Sequence, residues 1–401
     1  MLIVQFIMFL LFTIVMPFMP LFIMELGITD ISSVKIWAGI VGSINSLFAA
    51  LSSPFWGKLS DRLGRKPMVV RSCLSITIFS FLTSFAGNIY HLLVLRVLLG
   101  FFSGFAATSI ALVGGGTPRH ELGYALGWLQ TAQVLGALAG PLIGGLLADQ
   151  IPYSFIFQIT AVLGLFATLL VISLVQETPR SSPGTAAATS QPIINNELNL
   201  RVVLVMIGVL FSAQFANRCV EPIMTLYVQA LNQSPAHLTT WTGLLFATTG
   251  LGQLLAVSFF TRRSIKWGYQ RVLLLTLAGA GLFYLPQAFV HNTWQLLFLR
   301  LGLGIFMGGI IPMANALIGS LTPADSRGRV YGLTSTGIFL GSFVGVMGSG
   351  LISAFFSIPT VFLVVGILLL INLIGVYIVI QSSPQTQPST KYKATFTSYK
   401  S

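Results

Sequence analysis

Charge is what this sequence has least of. Only 7 % of its 401 residues are Asp, Glu, Lys or Arg, against about 25 % in an ordinary soluble domain. A soluble globular domain is thereby excluded, because too few charges exist to keep its surface wetted. Two cysteines, Cys73 and Cys219, exclude a disulfide framework; both lie in apolar runs and read as core residues. No catalytic triad and no metal-ligand spacing of His, Cys, Asp or Glu occurs, so neither an enzyme nor a metal centre is expected. The Gly-rich pieces "GGG" (114–116) and "GLGIFMGG" (302–309) lack the Lys-Ser/Thr of a phosphate loop. They read as close helix packing through small residues, and no ATP-binding domain is expected.

What is present is hydrophobic: 55 % of the chain, with 40 Gly and 31 Phe. Apolar runs of about 20 residues, enough to cross a hydrocarbon core of roughly 30 Å, recur near 2–24, 34–57, 68–87, 89–113, 122–148, 152–176, 201–230, 238–261, 271–290, 293–319, 327–355 and 357–382. They predict an all-α polytopic membrane protein with twelve transmembrane helices, since unpaired backbone is too costly in lipid and the alternation of a barrel strand is missing. The first run has no basic flank or cleavage site and reads as a retained helix. The formal net charge of +12 could suggest nucleic acid, but the basic residues follow the loops. All but four of the 21 Lys and Arg (Lys35, Arg96, Arg218 and Arg300) lie in or beside the even-to-odd connections or the C-terminal tail. That bias predicts both termini and the middle loop in the cytoplasm.

The chain also repeats itself at an offset of 204–205 residues. "WAGI" (37–40) answers "WTGL" (241–244), "LRVLLGFFSG" (95–104) answers "LRLGLGIFMG" (299–308), and "GWLQTAQVLGALAG" (127–140) answers "GLTSTGIFLGSFVG" (332–345). Two six-helix bundles, 1–176 and 201–382, are expected, joined by a Pro- and Ser-rich linker at 177–200 and followed by a tail at 383–401. An even helix number keeps both in one orientation, related by a pseudo-two-fold axis along the membrane normal.

Five charges are concentrated in "GKLSDRLGRKP" (57–67). This stretch resembles the signature between helices 2 and 3 of the major facilitator superfamily, matched at Gly57, Leu59, Asp61, Arg62, Gly64, Arg65, Lys66 and Pro67. "LLVLRVLLGFFSG" (92–104) is similar to the helix-4 pattern with its intramembrane Arg, here Arg96. "GALAGPLIGG" (136–145) is similar to the helix-5 element of proton-driven exporters, at Gly136, Gly140, Pro141, Gly144 and Gly145. The resemblance covers the whole chain and looks closest to bacterial twelve-helix drug:proton antiporters. It implies a cytoplasmic latch at Gly57, Asp61, Arg62, Gly64 and Arg65, facing "DSRGRVYG" (325–332). In the equivalent stretch "TRRSIKWGYQR" (261–271) the acid is missing, so anchoring without a latch is expected there.

Charges inside predicted helices are costly and mark candidate function. Arg96 is a candidate for coupling or gating; Arg300, its repeat equivalent, either snorkels at the membrane edge or faces the bundle. The seventh run, "SAQFANRCVEPIMTLYV" (212–228), carries Gln214, Asn217, Arg218, Glu221 and Thr225 at helical spacing on one face. Glu221 is the one acid deep in a predicted helix. It either pairs with Arg218 three residues away as a structural couple or exchanges a proton as its surroundings open. The matching first-helix positions are Phe12, Thr13, Met16 and Met19. Phe12, Met16 and Met19 form either plain packing or a soft wall able to adapt to varied ligands, with Gln130, Gln133 and Asn315 adding hydrogen bonds.

The expectation is a proton-coupled efflux transporter for amphipathic, cationic or zwitterionic drugs in a bacterial cytoplasmic membrane. It would use the proton gradient with no cofactor, and would need no nucleic acid and no obligate protein partner. The alternative is an importer or exchanger of a nutrient or metabolite, and the third reading is a membrane sensor.

Overall fold

The computed structural model describes residues 1–118, 121–175, 200–231, 237–321 and 327–381, less a few side chains that include those of Lys58 and Asp61. The linker up to 199, the tail and residues 325–326 lie outside the described residues, as do the side chains of most of 327–332. The rest is helical: α1 Leu2–Thr13, α2 Met19–Glu25, α3 Ile31–Leu63, α4 Arg65–Thr83, α5 Ile89–Phe102, α6 Phe105–Gly116, α7 Leu122–Ala148 and α8 Tyr153–Leu174. There follow α9 Leu200–Cys219, α10 Met224–Leu231, α11 Leu238–Trp267, α12 Tyr269–Tyr284, α13 Thr293–Leu321, α14 Arg327–Phe355 and α15 Ile358–Gln381. Three of the twelve spans are broken, as α1–α2, α5–α6 and α9–α10. Among the described residues ten spans are long and apolar enough to cross a bilayer, and α9 with α10 makes an eleventh. The twelfth, α4, carries Arg65, Lys66 and Arg71 in its first two turns.

The internal repeat extends to the backbone. Gly64, between α3 and α4, has φ +98°, and Gly268, between α11 and α12, has φ +82°; a side chain is strained there, which is why each half spends a glycine on this turn. The first span of each bundle breaks at matched prolines: a 3-10 turn at Met16–Phe18 contains Pro17, and α9 is bent 51° from α10 across the segment holding Pro222. Proline removes one helical N–H and clashes with the preceding turn, so a kink is the expected cost. Trp37 meets Tyr90 edge-on, and Trp241 meets Trp294 the same way.

The basic cluster beyond α3 has a local purpose. Helices leave their last carbonyls unpaired, and here cations supply donors to two of them, Lys66 Nζ to Ile172 O at 2.9 Å and Arg71 Nη2 to Ser103 O at 2.8 Å, while Arg65 Nη1 donates to Ala111 O within α6 at 2.7 Å. Arg71 also stacks 3.6 Å from the Trp56 ring.

The bundles meet chiefly through two helix pairs, α3 with α14 and α7 with α11. Close approach needs glycine: a Cβ on Gly39 would press on Gly350 and Val346, and one on Gly243 would collide with the Pro141 carbonyl. Along α3 and α7 these tight contacts lie towards the end that carries Asp149, whereas Gly57 and Gly127, at the basic end, face open space. At the Asp149 end two ties join the bundles. The Asp149 carboxylate accepts from the backbone N–H of Thr239 at 3.1 Å and of Thr240 at 2.9 Å, and from Thr239 Oγ1 at 2.7 Å. Thr239 and Thr240 open α11, whose N-cap residue His237 makes no side-chain cap. Asp149 therefore caps a helix of the other bundle. Lys35 Nζ donates to Ser353 O at 3.1 Å in the last turn of α14, so each charge sits at the helix end its sign favours. Lys35, in the second turn of α3 at the end away from the basic cluster, makes this tie.

Candidate functional site

Between the bundles lies a cavity of about 290 Å³. Its apolar wall comes from Phe9 and Phe12 of α1, Met16 of the 3-10 turn, Phe246 of α11 and Met307 of α13. Facing these are Gln133 of α7, Gln214, Asn217 and Arg218 of α9, Gln253 of α11, Tyr284 of α12 and Arg300 of α13, with Glu221 at the α9–α10 break. A smaller chamber of about 90 Å³ shares Phe12, Met16, Arg218 and Glu221 with the larger one and adds Met19, Asn45 and Arg96. Among the four shared residues Arg218 and Glu221 form an ion pair, Nη1 to Oε1 at 2.8 Å, with side chains 30 % and 20 % exposed. Partial exposure places the pair in reach of whatever occupies either chamber.

Local sequence explains how Glu221 gets there. Pro222 ends α9, and the Glu221 N–H reaches the Arg218 carbonyl at 3.3 Å in a tightened turn. The polar stripe at Gln214, Asn217, Arg218 and Glu221 stays on one face up to that break. Thr225, beyond it, departs from the predicted stripe: it is fully buried and its hydroxyl donates to the Pro17 carbonyl, joining the two broken spans. The bend has turned it away from the cavity. Asn217 accepts from Gln253 Nε2 at 3.0 Å, and Gln133 accepts from Gln5 Nε2 at 3.3 Å. Gln130 and Asn315 do not line either chamber; Gln130 is exposed nearly a turn before Gln133, and Asn315 lies two turns past Met307 on α13. Arg96 borders the smaller chamber with no partner for its Nε. Arg300 is buried on the cavity wall, which excludes snorkelling.

The helix-5 element packs two neighbours at once. A Cβ on Gly136, Gly140 or Gly144 would collide with α1 or its continuation at Phe6, Leu10, Thr13 and Ile14. Gly145 and Pro141 lie against Thr239 and Gly243 of α11 in the other bundle. Gly341 and Gly345 of α14 repeat the first contact on α9, against Phe211 and Phe215. Of the latch stretch, Gly57 faces open space, Gly64 makes the turn and Arg62 is exposed. Arg65 is engaged with α6, and the Asp61 side chain lies outside the described residues.

Tyr284, Gln253, Phe246 and Met307 were not singled out from sequence. Gln253 and Tyr284 are isolated polar side chains in apolar runs, a signal that could have flagged them; Phe246 and Met307 carry none, because Phe and Met occur throughout the spans. No group of three or more His, Cys, Asp or Glu that could hold a metal occurs among the described residues.

The Major Facilitator Superfamily model matches residues 1–240 and 206–400, one match for each repeat. The chain belongs to this family of membrane transporters. It is 34 % identical over 367 residues to the "Multi-drug resistance efflux pump PmrA homolog" of Lactococcus lactis subsp. lactis (strain IL1403), covering 92 % of this chain and 90 % of that one. It is 35 % identical over 364 residues to the "Multidrug resistance protein MdtG" of Proteus mirabilis (strain HI4320), covering 90 % of each. Among solved structures, a bacterial homolog of the human lysosomal transporter Spinster in an inward-facing, occupied conformation superposes with TM-score 0.79 at 13 % identity over 97 % of both chains. A D-xylose-proton symporter superposes with TM-score 0.72 at 16 % identity over 94 % of both. At such identities the structures attest the fold alone. The twelve-helix, two-bundle architecture expected from the sequence is the family's, and the protein is a multi-pass membrane transporter without enzymatic chemistry.

Proposed function

We propose that this chain exports amphipathic drugs from a bacterial cytoplasm across the cytoplasmic membrane, in exchange for protons, with both termini cytoplasmic. The observation that carries the reading is the cavity itself: a carboxylate–guanidinium pair facing a Phe and Met wall, at the junction of two bundles whose tight glycine contacts lie towards the Asp149 end. Aromatic and Met side chains repack around unlike shapes, as broad drug recognition requires, and relatives of matching length are named as a multi-drug resistance efflux pump and a multidrug resistance protein. Bundles 1–176 and 201–382 would rock about the midplane, with 177–200 as tether. Glu221 would bind protons and cations alternately, steadied by Arg218, while Arg96 would hold the smaller chamber positive. Phe12, Met16, Met19, Gln133, Gln214 and Asn217 would line the substrate's path.

In cells loaded with a lipophilic cationic dye, expression lowers dye accumulation, and a protonophore abolishes the difference. Equal accumulation with and without the protein refutes drug export. A protonophore-resistant difference refutes proton coupling.

The latch reading of Asp61 remains a proposal on the resemblance of 57–67. Asp61→Asn keeps the basic anchor and removes the acid, so turnover falls severalfold at equal membrane abundance; unchanged turnover sinks it.

A further inference from the structure

On the outside of the second bundle, between α12 and α15, runs a groove of about 470 Å³. Leu274, Leu275 and Ala278 of α12 line one side, and Leu373, Ile374 and Tyr377 of α15 the other. Each trio recurs at helical spacing on one face, and Ala278 leaves a notch that a larger side chain would fill. Leu275, Ile374 and Tyr377 are exposed, so the groove opens outward. Deeper in the membrane the two helices close up: a Cβ on Gly281 would press on Leu370, and one on Gly366 on Leu285. Arg271 precedes Leu274 and Leu275 by three and four residues, which sets it on the groove's own face one turn nearer the basic end. It is exposed and makes no hydrogen bond or ion pair among the described residues. In the first bundle the equivalent corner, between α4 and α8, is closed by Lys66 Nζ donating to Ile172 O at 2.9 Å. The residue answering Lys66 at the repeat offset is Gln270, and that tie is missing. The loop ahead of α12 adds Arg262, Arg263 and Lys266, and no acid occurs in 261–284 or 358–381.

We propose that this groove is a site for one anionic phospholipid, with its phosphate on Arg271 and the upper part of one acyl chain between α12 and α15. A cation one turn above an apolar slot follows the order of a lipid's own parts, from charge to hydrocarbon. Each side of the slot is about one helical turn long, roughly 6 Å, enough for the first few methylenes. Tyr377, the lining residue nearest the end of α15, suits the interfacial level at which Tyr rings are enriched. Any lipid tail fits an apolar slot, so selectivity comes from Arg271, since basic residues beside the membrane surface attract anionic headgroups. A second copy of the chain fits less well. Related by a two-fold axis, it would bring its own Arg271 and basic loop to a face that has no acid to pair them. The assignment does not depend on the exchange cycle.

The test titrates the full chain, in detergent micelles released for native mass spectrometry, with dioleoyl phosphatidylglycerol or dioleoyl phosphatidylcholine, which share their acyl chains. Wild type binds one phosphatidylglycerol about fivefold more tightly than one phosphatidylcholine, the effect of a single basic residue on an anionic headgroup. Arg271→Gln abolishes that preference and leaves phosphatidylcholine binding unchanged. Arg262→Gln removes an exposed charge of the same sign from α11 and keeps the preference. Ala278→Phe fills the notch and weakens both lipids together. Equal affinity of the wild type for the two lipids overturns the proposal, as does a preference that survives Arg271→Gln. Equal loss in Arg262→Gln and Arg271→Gln reduces the effect to general surface charge and overturns it too. Unchanged binding in a folded Ala278→Phe takes the chain out of the groove. A dimer that Ala278→Phe dissociates gives the groove to a second copy, and either result refutes the site. Both arginines are exposed, so their comparison decides the matter even where Ala278→Phe fails to fold.

Discussion

Glu221→Gln stops uphill export of a cationic dye, with the initial rate falling about tenfold or more, while dye still equilibrates downhill. The substitution keeps the shape of the side chain and its ability to accept from Arg218 Nη1, now 2.8 Å from Oε1. It removes the charge and the proton site. Two costs follow. Arg218 becomes an uncompensated cation between two chambers, which a membrane interior tolerates poorly. Nothing remains in the described cavity wall that can alternate between a proton and a cationic substrate, so the gradient has no handle. In wild type, affinity for the cation declines as pH falls through the titration of Glu221, because protonation removes the counter-charge; in Glu221→Gln the binding curve is flat. The double change Arg218→Gln, Glu221→Gln separates coupling from structure. Were the pair only a structural couple, deleting both charges would restore transport lost by either single change. Uphill export by Glu221→Gln, with its pH dependence intact, refutes the assignment.

The second large effect is on the Asp149 end. Asp149→Ala removes a cap supplied to α11 from the opposite bundle, and cap loss costs about 0.5–2 kcal/mol. The contacts exist only while that end is closed, so the loss falls on one conformation. A shift of that size changes the open fraction by roughly 2- to 30-fold. Labelling of a cysteine placed at Thr249, on the cavity wall, by a membrane-impermeant maleimide applied from the Asp149 side should accelerate by that factor. The background for this is Cys73→Ser, Cys219→Ser, since both native thiols are buried. Acid offers a parallel test. Burial alone would raise the Asp149 carboxyl, but hydrogen bonds from the side chains and backbone of Thr239 and Thr240 outweigh it and hold the group below its ordinary value of 3.8. A depressed carboxyl contributes stability that is full above the ordinary value and is lost as pH falls through the lower folded value. Closure is therefore insensitive to pH from 5 to 8, and only stronger acid brings wild type towards Asp149→Ala. Labelling rates equal in the two proteins at neutral pH would show that the cap does not hold the gate.

The sequence by itself determined the membrane class, the position of the twelve spans, the two-fold repeat and the family. These are properties of composition and local pattern, because a segment must satisfy its own backbone in lipid whatever lies beside it. It also placed Glu221 and Arg218 within reach of one another, since three residues on a helix are neighbours by geometry alone. Tertiary structure decided which polar groups share a cavity. Thr225 fits the periodicity of Gln214 and Glu221, yet the Pro222 break turns it onto Pro17, and periodicity does not carry across a bend. Gln130 precedes Gln133 by nearly one turn, and only packing reveals that the cavity stops between them. Arg300 was ambiguous because insertion cost is the same at a lipid edge and on a cavity wall; the contacts with Tyr284 and Phe362 settle its place. The pairing of Asp149 and Lys35 with helix ends of the opposite bundle appears only once the bundles are docked, since a helix end becomes a partner only when another chain segment is brought to it.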